Sequence, residues 1–186
     1  MGGILYEDTL QQAGKHEIKH EWLSAHGVKV VRIRFDGTHE EVPISFGDYY
    51  APNSNIVVDT KRSVDEVSSN ISREHKRFRG EIKRARRDGY RLVILIENTE
   101  GITGLHDLGA WVNGHCRACR FFRMSKCDPR DLSTKCIKHN KRKPIQGEQL
   151  AKAMLTMGEK YGVRFMFCTP EKAAEIICKL LGVKYE

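Results

Sequence analysis

VVDTKRSVDEV, residues Val57–Val67, changes its period halfway along. Val57 and Val58 run into Asp59, and Lys61 follows two places later. On an extended strand, residues two apart leave the same face, so this acid and this base project together. From Ser63 the pattern turns helical. Ser63-Val64-Asp65-Glu66 has the form of a capping box, in which the serine hydroxyl takes a backbone N–H and the glutamate reaches back. The segment predicts a strand ending in a paired acid and lysine, then a tight turn, then a helix.

On either side the chain alternates strands and helices. Upstream, GGILYED reads as a short strand reaching Asp8. KHEIKHEWLSAHG sets Ile18, Trp22, Leu23 and Ala25 at helical spacing before a stop at Gly27. VKVVRIRF alternates apolar residues with bases, and DGTHEE is a turn, so a hairpin into VPISFGDYY is expected. Downstream, Val64, Val67, Ile71, Phe78, Ile82 and Ala85 make one apolar stripe, which predicts a single helix ending at Asp88-Gly89. YRLVILIEN is a buried strand, GEQLAKAMLTMGEKYG an amphipathic helix, VRFMFC a strand, and PEKAAEIICKLLG a last helix opening on Pro170. This order predicts an α/β fold with a central mixed sheet flanked by helices. One segment interrupts it: between Asn113 and Lys143 aliphatic residues are few and four cysteines cluster. The expected organisation is a core of residues 1–112 and 144–186, with an inserted cysteine-rich subdomain at 113–143.

The chain has 186 residues, enough for one domain with a full core. No apolar run approaches the ~20 residues of a membrane-spanning helix, and the first residues lack the basic-then-apolar layout of a secretory leader. No membrane partner is therefore expected, and a cytoplasmic location is. The net charge of +8 is uneven: Arg73 to Arg91 holds nine Lys/Arg against three acids, and Lys135 to Lys143 holds five bases and no acid. Such clusters suit a polyanion whose phosphates they neutralise.

A second carboxylate, Asp48 in FGDYY, comes from the preceding strand, separated from the Asp59 strand by a short loop. Adjacent strands lie about 4.8 Å apart, so Asp48 and Asp59 can converge on one cation. Asp8, at the end of the first strand, and Glu17, early in the first helix, could complete an acidic cluster. Carboxylates around one lysine suit metal-assisted phosphodiester hydrolysis: oxygen ligands hold Mg²⁺ or Mn²⁺, and the lysine orients water or stabilises charge developing on the phosphate.

Gly47-Asp48, then Asp59-Thr60-Lys61, then Asp65 resembles the motif of the XPF-type nuclease family: Gly-Asp, a variable gap, Glu-Arg-Lys, three residues and Asp. KRFRGEIKRARRDGYRLVILIE resembles that family's basic helix and following apolar strand, and VRFMFCTPEKAAEII its closing strand and helix. The resemblance covers residues 4–112 and 144–182. It implies a restriction-endonuclease-like core and metal-dependent cleavage of branched or structured DNA (flap, fork or junction), as in repair or recombination. Asp48 and Asp59 would be metal ligands, Lys61 the catalytic lysine, Asp8 and Glu17 supporting acids, and Arg77 and Arg84 phosphate contacts. The chain departs from the family where Asp59-Thr60 replaces Glu-Arg and where Asp8-Thr9-Leu10-Gln11 replaces Asp-x-Arg-Glu. It carries no helix-hairpin-helix pair after the core, so a minimal phage or bacterial nuclease is expected, and a homodimer is compatible with it. The alternatives are a DNA-binding or recruitment protein that has lost catalysis, and a nuclease for unbranched duplex.

Cys116-x-x-Cys119 followed by Cys127 and Cys136 predicts a structural Zn²⁺ site of four thiolates, which would order a segment with little core of its own. His139, in place of Cys127, gives an alternative set, and His115 is a third choice. The bases beside it, Lys138, Lys141, Arg142 and Lys143, are expected to touch DNA. Cys168 and Cys178, in apolar surroundings, are expected in the core.

Overall fold

The structure, a computed structural model, describes residues 3–10 and 17–186, so Gln11 and the start of the first predicted helix lie outside it. Six strands form one sheet: β1 (Ile4–Asp8), β2 (Lys29–Ile33), β3 (Tyr49–Tyr50), β4 (Ile56–Lys61), β5 (Arg91–Glu97) and β6 (Arg164–Cys168). Their order is β2-β1-β3-β4-β5-β6. β1 with β2, β4 with β5, and β5 with β6 are parallel, whereas β3 is antiparallel to both β1 and β4. The helices are α1 (Glu17–Ala25), α2 (Val64–Ser72), α3 (His75–Arg87), the single turns α4 (Gly114–Arg117) and α5 (Arg120–Arg123), α6 (Gly147–Tyr161) and α7 (Pro170–Leu181). No helix among the described residues is long and apolar enough to cross a membrane.

Both faces of the sheet are covered, which is why β5 is apolar at nearly every position. Its residues Leu92, Ile94 and Ile96 enter a core with Val64 and Val67 of α2, Phe78 and Ile82 of α3, and Leu150 and Met154 of α6. Val93 and Leu95 point the other way, into a second core with Leu23 of α1 and Ala174, Ile177 and Cys178 of α7. Asp59 and Lys61 share the face of Val57 and so look toward α2 and α3.

Two expectations are corrected. The hairpin from β2 into VPISFGDYY does not form, because among the described residues β2 is an edge strand paired only with β1. Residues 42–46 do alternate as a strand would, with Val42, Ile44 and Phe46 buried. Pro43 has no N–H to give a ladder, so they pack as an extended plug in the core. The single helix expected from Ser63 onward is broken into α2 and α3 at Arg73-Glu74. The tract Ser68-Ser69-Asn70 with Ser72 is a poor helix former. The Ser72 hydroxyl also donates to the Ser68 carbonyl at 2.7 Å, a back-bond that bends helices. Ser63 caps α2 as expected, its hydroxyl accepting from Glu66 N at 3.1 Å, but Glu66 reaches one residue further back than a capping box requires and accepts from Arg62 N at 2.9 Å.

Candidate active site

Asp59 and Lys61 meet on the buried face of β4, Lys61 Nζ donating to Asp59 Oδ1 at 2.6 Å. Asp48 arrives from the turn into β3. Its position depends on Gly47, whose φ of +76° and close approach to β4 exclude a side chain: a Cβ there would lie 2.3 Å from Val57 Cγ1. Asp48 N donates to the Val58 carbonyl at 2.8 Å. The Asp48 carboxylate is held through Oδ2, which accepts from Thr60 N at 2.6 Å and Thr60 Oγ1 at 2.7 Å. Thr60, standing where the family motif has arginine, thus fixes a carboxylate of the cluster.

A third acid comes from α3. Glu81 Oε1 accepts from Gly47 N at 3.1 Å, and its charge acts on both Asp59 and Lys61. Burial pushes the Asp59 carboxyl well above the ordinary carboxylate range; Lys61 opposes this, and the negative charges of Asp48 and Glu81 add to it. Burial also disfavours the Lys61 ammonium, but Asp59, Asp48 and Glu81 outweigh it and raise that group above the usual lysine range. Three carboxylate charges therefore act on one ammonium, of which Asp59 alone touches it. Asp59 Oδ2 is buried without a hydrogen-bond partner among the described residues, an expensive state for a carboxylate oxygen.

Other expected residues fall in different places. Arg77 lies on the same stripe of α3 as Glu81, pairs with Glu74 (Nε 3.0 Å), and senses the charges of Glu81 and Asp59. Arg84 is exposed in the last turn, where its charge acts on Asp88. Asp8 is buried, but its Oδ1 closes the loops after β1 and β2 by accepting from Leu10 N and Phe35 N, each at 3.2 Å. Glu17 is exposed at the start of α1, a helix packed on the opposite face, and does not join the cluster. That opposite face has a buried acid the sequence reading passed over: Glu7 accepts from Tyr49 Oη at 2.9 Å and His20 Nε2 at 3.0 Å. Nearby, Lys19 and Glu97 form a buried ion pair tying α1 to β5.

The cysteine-rich segment is tied to the core through Asp65. Its Oδ1 accepts from Gly114 N at 2.7 Å and its Oδ2 from Arg117 Nη2 at 2.6 Å, and Arg117 also pairs with Glu100. At the segment's base, Asn113 N donates to Gln146 Oε1 at 3.2 Å. Cys116, Cys119, Cys127 and Cys136 are unbonded to one another and, with His115 and His139, line one cavity of about 190 Å³. A tight turn at Cys136, with left-handed Asn140 and a 2.8 Å bond from Cys136 N to the Lys141 carbonyl, presents the last of the thiols. Among the described residues no group of three or more His, Cys, Asp or Glu side chains converges to ligand distance, in this cavity or around Asp59. Lys138, Lys141 and Arg142 are exposed. Lys143 instead turns inward, its ammonium bound by the carbonyls of Asp128 and Asp131 and the Thr134 hydroxyl.

No protein-family model matches the chain, and no characterised protein matches it by sequence. Among solved structures it is similar to XPF from Aeropyrum pernix, with a TM-score of 0.54 and 19% identity over 96% of this chain. The chain spans 60% of the length of that structure. At this identity the likeness is one of fold, and the six-stranded mixed sheet flanked by helices is consistent with a restriction-endonuclease-like architecture.

Proposed function

We propose that this chain is a divalent-metal-dependent endonuclease that hydrolyses phosphodiester bonds in branched or structured DNA. The observation that carries this reading is the unpartnered, buried Asp59 Oδ2 beside Asp48, Glu81 and Lys61. An excess of carboxylate charge around a buried oxygen with a free lone pair fits a hard cation, and its neutralisation would relieve the crowding. Asp48 and Asp59 would hold Mg²⁺ or Mn²⁺, which when bound activates water and screens the scissile phosphate. Thr60 keeps Asp48 oriented, and Lys61, held by Asp59, supplies a fixed positive charge where a phosphate approaches. Arg77, beside this cluster and exposed, contributes a phosphate contact. The XPF-like fold and the spacing from Gly47 to Asp65 support the preference for branched DNA.

Zn²⁺ held by Cys116, Cys119, Cys127 and Cys136 would order the inserted segment; the support is that all four thiols line one cavity in a segment with few buried aliphatic side chains. Incubation of the purified protein with flap, fork, junction and plain duplex DNA in Mg²⁺ or Mn²⁺ tests the proposal. Cleavage of branched substrates, abolished by Asp59→Asn and by Lys61→Ala, is the expected result. Failure to cut any of the four sinks it.

A further inference from the structure

Asp65, Ser68, Ser69 and Ser72 recur at i, i+3, i+4 and i+7 along one stripe of α2. They form one wall of a cleft of about 570 Å³. The other wall is the neck of the cysteine-rich segment, residues 113–115 on the way out and 142–145 on the way back. Arg73 enters from the end of α2 and Arg142 from the returning chain. Arg73 Nη2 lies 2.6 Å from His115 Nε2, so the imidazole accepts through that nitrogen and holds the guanidinium in place. No carboxylate among the described residues pairs with Arg73 or Arg142. Asp65, the one acid lining the cleft, is already engaged by Gly114 N and Arg117. The Ser69 hydroxyl likewise has no partner among the described residues.

Two guanidinium groups without acids, lining one cleft with the free Ser69 hydroxyl, match the charge and hydrogen-bonding needs of a phosphate. The helix bearing the serines begins three residues after Lys61, so its stripe leads away from the cleavage site for about 10 Å at 1.5 Å per residue. We infer that this cleft is a second phosphate-binding site, which grips a backbone phosphate of the nucleic-acid strand away from the scissile bond. The inference rests on the nucleic-acid reading above and assigns Arg73, Arg142 and Ser69 to the grip. Lys143 is excluded from it because its ammonium is engaged inside the insertion.

The test is binding of a fluorescent branched DNA by the full chain without added Mg²⁺ or Mn²⁺, across 50–200 mM salt. Two lost phosphate contacts lower the slope of log K against log salt by about 1.5. Arg73→Ala/Arg142→Ala is expected to show that drop with roughly tenfold weaker binding. Lys172→Ala, on α7 across the sheet, is expected to keep the wild-type slope. If the double variant melts early, Ser69→Asp, which sets a repelling charge in the cleft, serves in its place and is expected to weaken binding. An unchanged slope in the double variant, or unchanged affinity in Ser69→Asp, overturns the inference. So does a cleft that takes only small phosphates: pyrophosphate would then raise the Tm of wild type but not of the double variant, with the DNA slope unaltered. Cleavage is scored separately. A lowered slope in a chain that cuts nothing leaves the cleft standing and removes the nuclease, and an unchanged slope in an active enzyme does the reverse.

Discussion

Thr60 clamps Asp48 from the neighbouring strand: its N–H and its hydroxyl reach the same oxygen, Oδ2, at 2.6 and 2.7 Å. Any residue at this place would supply the backbone N–H; what threonine adds is the second donor, its hydroxyl. Because β4 residues alternate faces, Thr60 holds Asp48 while Asp59 and Lys61 remain turned toward α3.

The clamp gives a direct expectation. A hydrogen bond to a charged group contributes about 1.5–3 kcal/mol. Thr60→Val keeps the shape and the β-branch but loses the hydroxyl bond. The Mg²⁺ concentration for half-maximal cleavage should rise about tenfold or more, and the Tm should fall by about 2–4 °C for each kcal/mol lost. Thr60→Ser should restore it. A metal titration of the three proteins checks this, and a serine variant as impaired as the valine one would refute the clamp.

Asp59 sets a pH dependence of stability. Its folded-state pKa is raised, chiefly by burial, above the ordinary value near 3.8. The stability that goes with its proton is complete below that ordinary value and is lost as pH rises through the folded value. Between those two values burial of the ionised form works against folding. Asp59→Asn, which leaves an acceptor for Lys61, is expected to melt higher than wild type at pH 7.5 without metal, by about 2–4 °C for each kcal/mol recovered. The gap should close toward pH 4. Melting curves from pH 4 to 8 decide it; an asparagine variant less stable at pH 7.5 contradicts the assignment.

Glu81 separates charge from hydrogen bonding. Glu81→Gln keeps an acceptor for Gly47 N, so its Tm should stay near wild type while apparent metal affinity falls. Glu81→Ala also frees the Gly47 turn and should cost about 1 kcal/mol more. If both variants bind metal as wild type does, Glu81 belongs only to the turn.

The cysteine-rich segment should bind about one zinc per chain. Chelation should expose it to proteolysis between Asn113 and Lys143, while circular dichroism of the remaining core changes little. Cys119→Ser should behave like the chelated protein. Metal analysis that finds no zinc in protein purified without chelators would contradict the site.

The parts of this fold that were legible in the sequence are those fixed by local pattern. The run in β5 reads as buried because both faces are covered, and the Ser63 box names its own helix start. The α2–α3 break was hidden because the apolar stripe continues across it; the weak point lies in the polar serines. The expected β2 hairpin failed on one missing N–H at Pro43. The convergence of Asp48 with Asp59 and Lys61 followed from spacing. Glu81 was missed because it sits among nine bases, where a lone acid looks like ordinary surface pairing. Its place on the stripe with Arg77, four residues earlier, was the available clue. Glu17 was expected at the site from its sequence position, but α1 packs on the reverse of the sheet.

Asn113 N and Gln146 Oε1 lie 3.2 Å apart, so the cysteine-rich segment leaves and re-enters the core at nearly one point. A loop closed this tightly at its base is modular. Joining Asn113 to Gln146 through a short glycine-containing turn would delete the segment without rethreading any strand or shifting α6. The same geometry lets such a segment be gained, exchanged or lost between related chains in one step, so the surface beside the cleft could change while β4 stays untouched.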